Sequence, residues 1–302
     1  MDVAASVRQR LLDLSRSRGE DYNLILTRYA VERFLYRLAQ TDHAKQFVLK
    51  GAMLFQLWTD RPYRPTRDLD LLGLGSDSPE RMKQVFQEVC RASVEPDGLA
   101  FAPATVKVAD IREQQEYQGR RVQVRALLGK ARIALQVDIG FGDAVTPAPE
   151  MVAYPTLLDL PAPRLRAYPR ETVIAEKLQA LVALGLLNSR MKDFFDLLLL
   201  GREFPFAGQT LSRAIRATFE RRRTEMPRAT PPALTAEFSR APDKIKQWQA
   251  FLRRHGLEAG APALPTALSR LREFLLPPLL AAAQGEDFDR TWPAGGPWSG
   301  AV

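Results

Sequence analysis

Arg64-Pro-Thr-Arg-Asp68-Leu-Asp70-Leu-Leu72 sets acids and leucines in alternation behind a short basic loop. The pattern predicts a strand from Asp68 to Leu74. Alternate side chains of a strand share a face, so Asp68 and Asp70 point one way while Leu69 and Leu71 enter a core. Two carboxylates about 6–7 Å apart along a strand can converge on one divalent cation or a close pair. Left alone they repel, so a metal or basic neighbours must lie opposite. A D-x-D by itself is weak, since most instances are surface loops or structural pairs.

The flanking sequence supplies the context. Phe47-Val-Leu-Lys50-Gly51 is an apolar run, strand or helix turn, ending in a glycine. Having no side chain, such a glycine lets backbone N–H groups approach phosphate oxygens. Before it, Leu24, Ala30 or Val31, Phe34, Leu35 and Leu38 draw one helical stripe, and the first 46 residues read as helical. Ser78 and Pro79 suit the N-cap and first position of a further helix, continued by Met82, Val85, Phe86 and Val89. Val122, Val124, Ala126 and Leu128 alternate before Gly129-Lys130, and Ile133, Leu135, Val137 and Ile139 after it, which predicts a hairpin with a primed turn. Asp138 then lies on the polar face with Gln136, by the same logic that places Asp68 and Asp70. If the two acid-bearing strands are neighbours, three carboxylates meet on one sheet surface, a usual way to hold Mg²⁺ against a triphosphate. A single solvent-facing Asp138 is the bland alternative.

Six prolines between Pro147 and Pro169 suit edge segments and connections, and helical signals dominate beyond them. The expected organisation is α+β: a mixed α/β domain over residues 1–170 followed by a helical domain over 171–302. Composition narrows the function classes. Of the 302 residues 46% are apolar and 26% charged, which permits a sizeable core. The 43 basic against 35 acidic residues give a net charge of +8 and favour polyanionic partners. One cysteine, Cys90, excludes an internal disulfide framework, and His43 with the distant His255 makes no zinc site. No signal peptide or membrane span is evident, so a soluble, cytoplasmic protein is expected. Twelve basic and five acidic residues lie between Arg202 and Arg254, interleaved with Phe219, Phe238, Trp248 and Phe251. This stretch is either an RNA-binding face, with phosphate contacts and base stacking, or a solvated surface over core aromatics.

Taken in order, these features resemble the AbiEii-type nucleotidyltransferases. Those are toxins of bacterial toxin–antitoxin and abortive-infection (phage defence) systems, including the MenT enzymes of mycobacteria. The resemblance begins at Lys50-Gly51-Ala52 and Arg64-x-Thr66-x-Asp68-Leu-Asp70. It continues at Val137-Asp138-Ile-Gly-Phe-Gly-Asp143, then at Ile174-Ala-Glu-Lys177-Leu and Arg190-Met-Lys-Asp193-Phe-Phe-Asp196, and in the tail Trp292-Pro-x-Gly-Gly-Pro-Trp298. It implies a DNA-polymerase-β-like mixed sheet with flanking helices and a helical C-terminal domain. It further implies Asp68, Asp70 and Asp138 as Mg²⁺ (or Mn²⁺) ligands, Lys177 on the nucleotide phosphates and Asp193 as a further essential acid. Lys50, Gly51, Ala52, Arg64 and Thr66 belong to the implied nucleotide-binding set. Ala52 stands where the family usually has Gly or Ser: its methyl keeps the backbone donor but removes a hydroxyl and narrows the approach.

The helix carrying Lys177 can be read independently. Ile174, Leu178, Leu181 and Gly185 fall in one arc, with Lys177 about 60° from it and Glu176 on the far side. Lys177 thus sits at the margin of a buried face, as a snorkelling lysine also would. Asp193 and Asp196 share a side, and Lys192 is placed to pair with Asp196, which marks Asp196 as structural.

The expected activity is transfer of a nucleotide from an NTP to an RNA acceptor, by the resemblance the 3′ end of tRNA, blocking translation and growth. A cognate antitoxin is the implied protein partner. The rivals are an inactive scaffold that binds RNA or protein, and transfer to a protein or small-molecule acceptor. Glycosyltransferases also use D-x-D, but no nucleotide-sugar domain pattern accompanies it here.

Overall fold

The computed structural model describes residues 2–59, 66, 68–113 and 117–300. The chain divides into two compact units, Met1–Gly142 with Pro149–Tyr168, and Asp143–Ala148 with Pro169–Val302.

The first unit runs α1 (Val3–Arg18), α2 (Tyr22–Ala39), β1 (Phe47–Lys50), α3 (Phe55–Trp58), β2 (Asp68–Gly73), α4 (Pro79–Arg91), β3 (Leu99–Glu113), β4 (Tyr117–Leu128), β5 (Ala131–Phe141), β6 (Glu150–Ala153) and β7 (Arg164–Ala167). Local chemistry accounts for the boundaries. The Asp21 carboxylate accepts the Leu24 N–H at 2.9 Å to cap α2, and Ser78 Oγ accepts the Arg81 N–H at 3.3 Å to cap α4. Gly129, at φ +59°, turns β4 into β5 through the two residues expected, pairing Leu128 with Ala131.

The strands form one mixed seven-stranded sheet in the order β3-β4-β5-β2-β1-β7-β6. The central pair, β2 and β5, is parallel, with β1 antiparallel to β2 and β4 antiparallel to β5. Leu69, Leu71, Leu135, Val137 and Ile139 are buried, and α2 and α4 pack on the sheet. Phe34 of α2 joins the two helices to the sheet edge, 5.6 Å from Phe86 and 5.4 Å from Phe101 between ring centres.

Sequence periodicity does not reveal β3. Its alternation is broken by Pro103, and its pairing with β4 shifts register between Ala102 and Lys107. A proline and an irregular register are tolerated there because β3 is an edge strand.

The second unit contains α5 (Arg170–Leu184), α6 (Met191–Glu203), β8 (Phe206–Ala207), α7 (Gly208–Arg221), α8 (Ala236–Arg240), α9 (Pro242–His255), α10 (Leu264–Gln284), β9 (Arg290–Trp292) and β10 (Ser299–Gly300). α7 packs on α5 and α10, and the short strands pair in the order β10-β9-β8. The tail is an anchor. Trp292 Nε1 donates to the Gly201 carbonyl at 2.7 Å and Trp298 Nε1 to that of Phe274 at 2.9 Å, with the two indoles 5.4 Å apart. A Cβ on Gly296 would lie 2.4 Å from the Trp292 ring, so the residue there must be glycine.

Three of the four aromatics named in the basic segment follow the core reading, and Phe251 is half-buried. Phe219, Phe238 and Trp248 are each 1% exposed, so none of the three presents a ring for base stacking. Among the described residues, no helix is long and apolar enough to cross a membrane.

Candidate active site

Four adjacent strands place four charged residues at one level of the first unit's sheet. Arg121 of β4 is the register partner of Asp138 of β5, Asp138 of Asp70 in β2, and Asp70 of Lys50 in β1. The row reads cation, acid, acid, cation, with strands about 4.8 Å apart. It lies on the face opposite the buried Leu69, Leu71, Val137 and Ile139. Two like charges on neighbouring strands destabilise each other, so the flanking cations are electrostatically required.

The side chains show how the charge is met. Arg121 grips Asp138 as a fork, Nε to Oδ1 at 2.8 Å and an Nη to Oδ2 at 2.7 Å. Such bidentate pairs are among the stronger protein hydrogen bonds. One register step away, Gln136 Nε2 donates to Asp68 Oδ1 at 3.2 Å. Asp68 is exposed and Asp70 half-buried. Thr66 Oγ1 donates to the Asp68 carbonyl at 3.4 Å. Lys50 carries its ammonium 5.3 Å from the Tyr168 ring centre. Arg64 lies outside the described residues.

Gly51 ends β1 with φ +77° and opens a 3₁₀ turn, Gly51–Leu54, that leads into α3. A Cβ there would fall 2.0 Å from Asp70 Oδ2 and 2.7 Å from Asp70 Cγ. The Asp70 carboxyl therefore lies against the Gly51 backbone, in space only glycine leaves open. Ala52, next in the turn, is half-buried.

Asp68, Asp70 and Asp138 offer hard oxygen donors on one face, the chemistry Mg²⁺ or Mn²⁺ takes. Among the described residues, no three acidic, histidine or cysteine side chains converge on a single point, and Arg121 engages both oxygens of Asp138. The donor set fits a divalent ion, and the third carboxylate has a resident partner.

The second unit holds the other two residues singled out from the sequence. Lys177 on α5 lies 2.7 Å from Asp193 and 2.7 Å from Asp196, both on α6, and Arg190 Nε lies 2.6 Å from Asp193. Both acids are fully buried. Burial pushes the Asp193 carboxyl up, but Lys177 and Arg190 outweigh it and hold the group below its ordinary value. Burial drives Asp196 well above the usual carboxylate range. The partner Asp196 finds is thus Lys177 across the helix pair, while Lys192, one turn behind it, is exposed.

Glu176 also departs from the helical-wheel reading. It is only 15% exposed and lies 3.5 Å from Arg222, because Val173, Ala175 and Gln179 bury α5 around most of its circumference. Arg222 further donates to Gln179 at 2.8 Å and to Asp143, of the Val137–Asp143 motif, at 3.2 Å.

Arg121 and Arg222 are the residues that reading motifs alone missed. Arg121 was recoverable: counting outward from the Gly129-Lys130 turn pairs 128 with 131 and so brings 121 against 138. No local signal marks Arg222, whose partners come from two distant segments, Glu176 and Gln179 on α5 and Asp143 after β5.

The sequence profile described as nucleotidyl transferase AbiEii toxin, type IV TA system, matches residues 33–270. No curated protein sequence matches the chain with significance. Two Helicobacter pylori crystal structures are similar, one described as a nucleotidyltransferase candidate and one as JHP933. Each aligns at 17% identity and a TM-score of 0.45 over 83% of this chain, covering 89% and 87% of the respective neighbour.

Proposed function

This chain belongs to the AbiEii family of nucleotidyltransferase toxins of type IV toxin–antitoxin systems, and from that premise we propose that it transfers a nucleotide from an NTP to an RNA acceptor, the 3′ end of tRNA, with Mg²⁺ held by Asp68, Asp70 and Asp138. The observation that carries the reading is the row Arg121–Asp138–Asp70–Lys50, with the Asp70 carboxyl seated on Gly51. Paired carboxylates flanked by cations on a solvent-facing sheet surface suit an anionic substrate brought in with a cation.

In the proposed reaction an acceptor hydroxyl oxygen bonds to the α-phosphorus of the NTP. The bond from that phosphorus to the bridging oxygen breaks, pyrophosphate leaves, and the hydroxyl proton passes to solvent. A bound divalent ion supplies Lewis acidity, lowering the hydroxyl pKa and offsetting charge on the leaving group. Asp68 and Asp70 present ligand oxygens from one strand face, and the Gly51 backbone fixes where the Asp70 carboxyl lies. Lys50 contributes positive charge at the same level of the sheet. Lys177, held between Asp193 and Asp196 in the second unit, is the proposed phosphate cation, with Asp193 orienting it. The basic run from Arg202 to Arg254 supports a polyanionic acceptor over a small molecule. Modified tRNA 3′ ends would block aminoacylation, giving growth arrest that the cognate antitoxin relieves.

The test is a transfer assay with the purified chain, Mg²⁺, each labelled NTP in turn and total tRNA. Label is expected on tRNA with the intact protein and is expected to fall at least about 100-fold in Asp70→Asn, the scale of removing charge stabilisation at a reacting centre. Full transfer by Asp70→Asn would sink the ligand assignment. Label on protein in place of tRNA would redirect the acceptor.

A further inference from the structure

We propose that Arg121 is the resident counter-ion of Asp138 and that a divalent ion binds by displacing it, so this guanidinium sets the metal affinity of the site. The inference rests on the reading of Asp138 as a metal ligand. Three observations carry it. Arg121 engages both Asp138 oxygens in a fork, at 2.8 and 2.7 Å, so the orientation that serves the guanidinium must be given up, in whole or part, when an ion takes the carboxylate. Asp138 lies directly opposite Asp70, and a pair of adjacent carboxylates needs positive charge whether or not a metal is bound. The Arg121 side chain is 41% exposed against 20% for Asp138, so the guanidinium has solvent to move into.

A second Arg–Asp fork in the same unit makes the contrast. Arg37 holds Asp97 with bonds of 2.6 and 3.0 Å, but there the arginine is 6% exposed and also bound to the Leu99 carbonyl at 3.1 Å. That pair is locked into the core. The Arg121–Asp138 pair is likewise bidentate, but it lies on an accessible face that carries two further acids. The row sets two cations beside two acids, and a doubly charged ion adds positive charge next to the guanidinium on this accessible face.

Mn²⁺ titration of the full chain without nucleotide, followed by calorimetry, reads the exchange directly. Arg121→Ala and Arg121→Gln are expected to bind Mn²⁺ about fivefold tighter, the upper range for an exposed ion pair of good geometry. Arg121→Gln keeps most of the side-chain volume, and thermal melts confirm folding. Arg125→Ala removes an equal charge from the same strand, opposite Ala134, and is expected to change affinity less than about twofold. Asp138→Asn is expected to weaken binding. Unchanged or weaker binding in both Arg121 variants, with Asp138→Asn still weakening it, overturns the exchange and leaves the proposed function standing. Equal tightening in Arg125→Ala also overturns it, because the effect is then the general field. No effect of Asp138→Asn removes Asp138 as a ligand, and both readings fall.

Discussion

At the scale of single residues, the site turns on the space that Gly51 leaves. Its φ of +77° is a conformation that costs other L-residues about 1–2 kcal/mol, and its missing Cβ is where the Asp70 carboxyl sits. Gly51→Ala therefore meets both strain and collision. The expected outcome is a loss of at least about 2 kcal/mol in urea unfolding, or else displacement of Asp70 with transfer falling about as far as in Asp70→Asn. Full activity with unchanged stability would show that the turn relaxes freely.

At the scale of elements, α5 and α6 are joined by a buried ionic cluster whose members are not equivalent. Lys177→Met leaves Asp193 and Asp196 buried without their shared ammonium and is expected to destabilise by about 3–5 kcal/mol. Asp196→Asn keeps an oxygen acceptor for the Lys177 ammonium and is expected to cost less, about 1 kcal/mol. Equal losses in urea unfolding would contradict the asymmetry. In α2, Glu32 accepts the Leu157 N–H at 2.7 Å, and burial, against the pull of that bond and of Arg33, raises its carboxyl from 4.5 to about 7. A raised folded pKa means its stabilising effect is full below pH 4.5 and is lost as pH rises to about 7. Glu32→Gln removes this dependence. Its stability relative to the parent chain should therefore improve by about 3 kcal/mol between pH 4.5 and 8, measured by denaturant unfolding at both ends. A constant difference would contradict the shift.

At the scale of the whole molecule, positive charge is concentrated between Arg202 and Arg254, twelve basic against five acidic residues, while three of the aromatics in that stretch are spent on packing. Phe219, Phe238 and Trp248 are core, so an RNA acceptor would be held through phosphates. Binding of tRNA is then expected to weaken steeply with salt. Reversing the exposed pair in Arg253→Glu/Arg254→Glu should lower the slope of log affinity against log salt by about 1–2. A salt-insensitive affinity in filter binding would count against a phosphate-led interface.

Much of the fold can be read in the chain because its signals are local. The alternation through Asp68–Leu72 and around Gly129-Lys130 specifies strands, and the Ser78 cap starts α4, since each depends on residues a few positions apart. The ordered motifs likewise mark the family, and the polar faces place Asp68, Asp70 and Asp138 on one side of their strands. Tertiary structure decided what meets what. The parallel pairing that sets Asp70 opposite Asp138, the seat of Asp70 on Gly51, and the capture of Lys177 by two acids of another helix all join segments distant in sequence. Periodicity fixes which face a side chain takes. The partner on that face depends on strand order and helix packing, which arise only when the buried surfaces of separate elements are matched together.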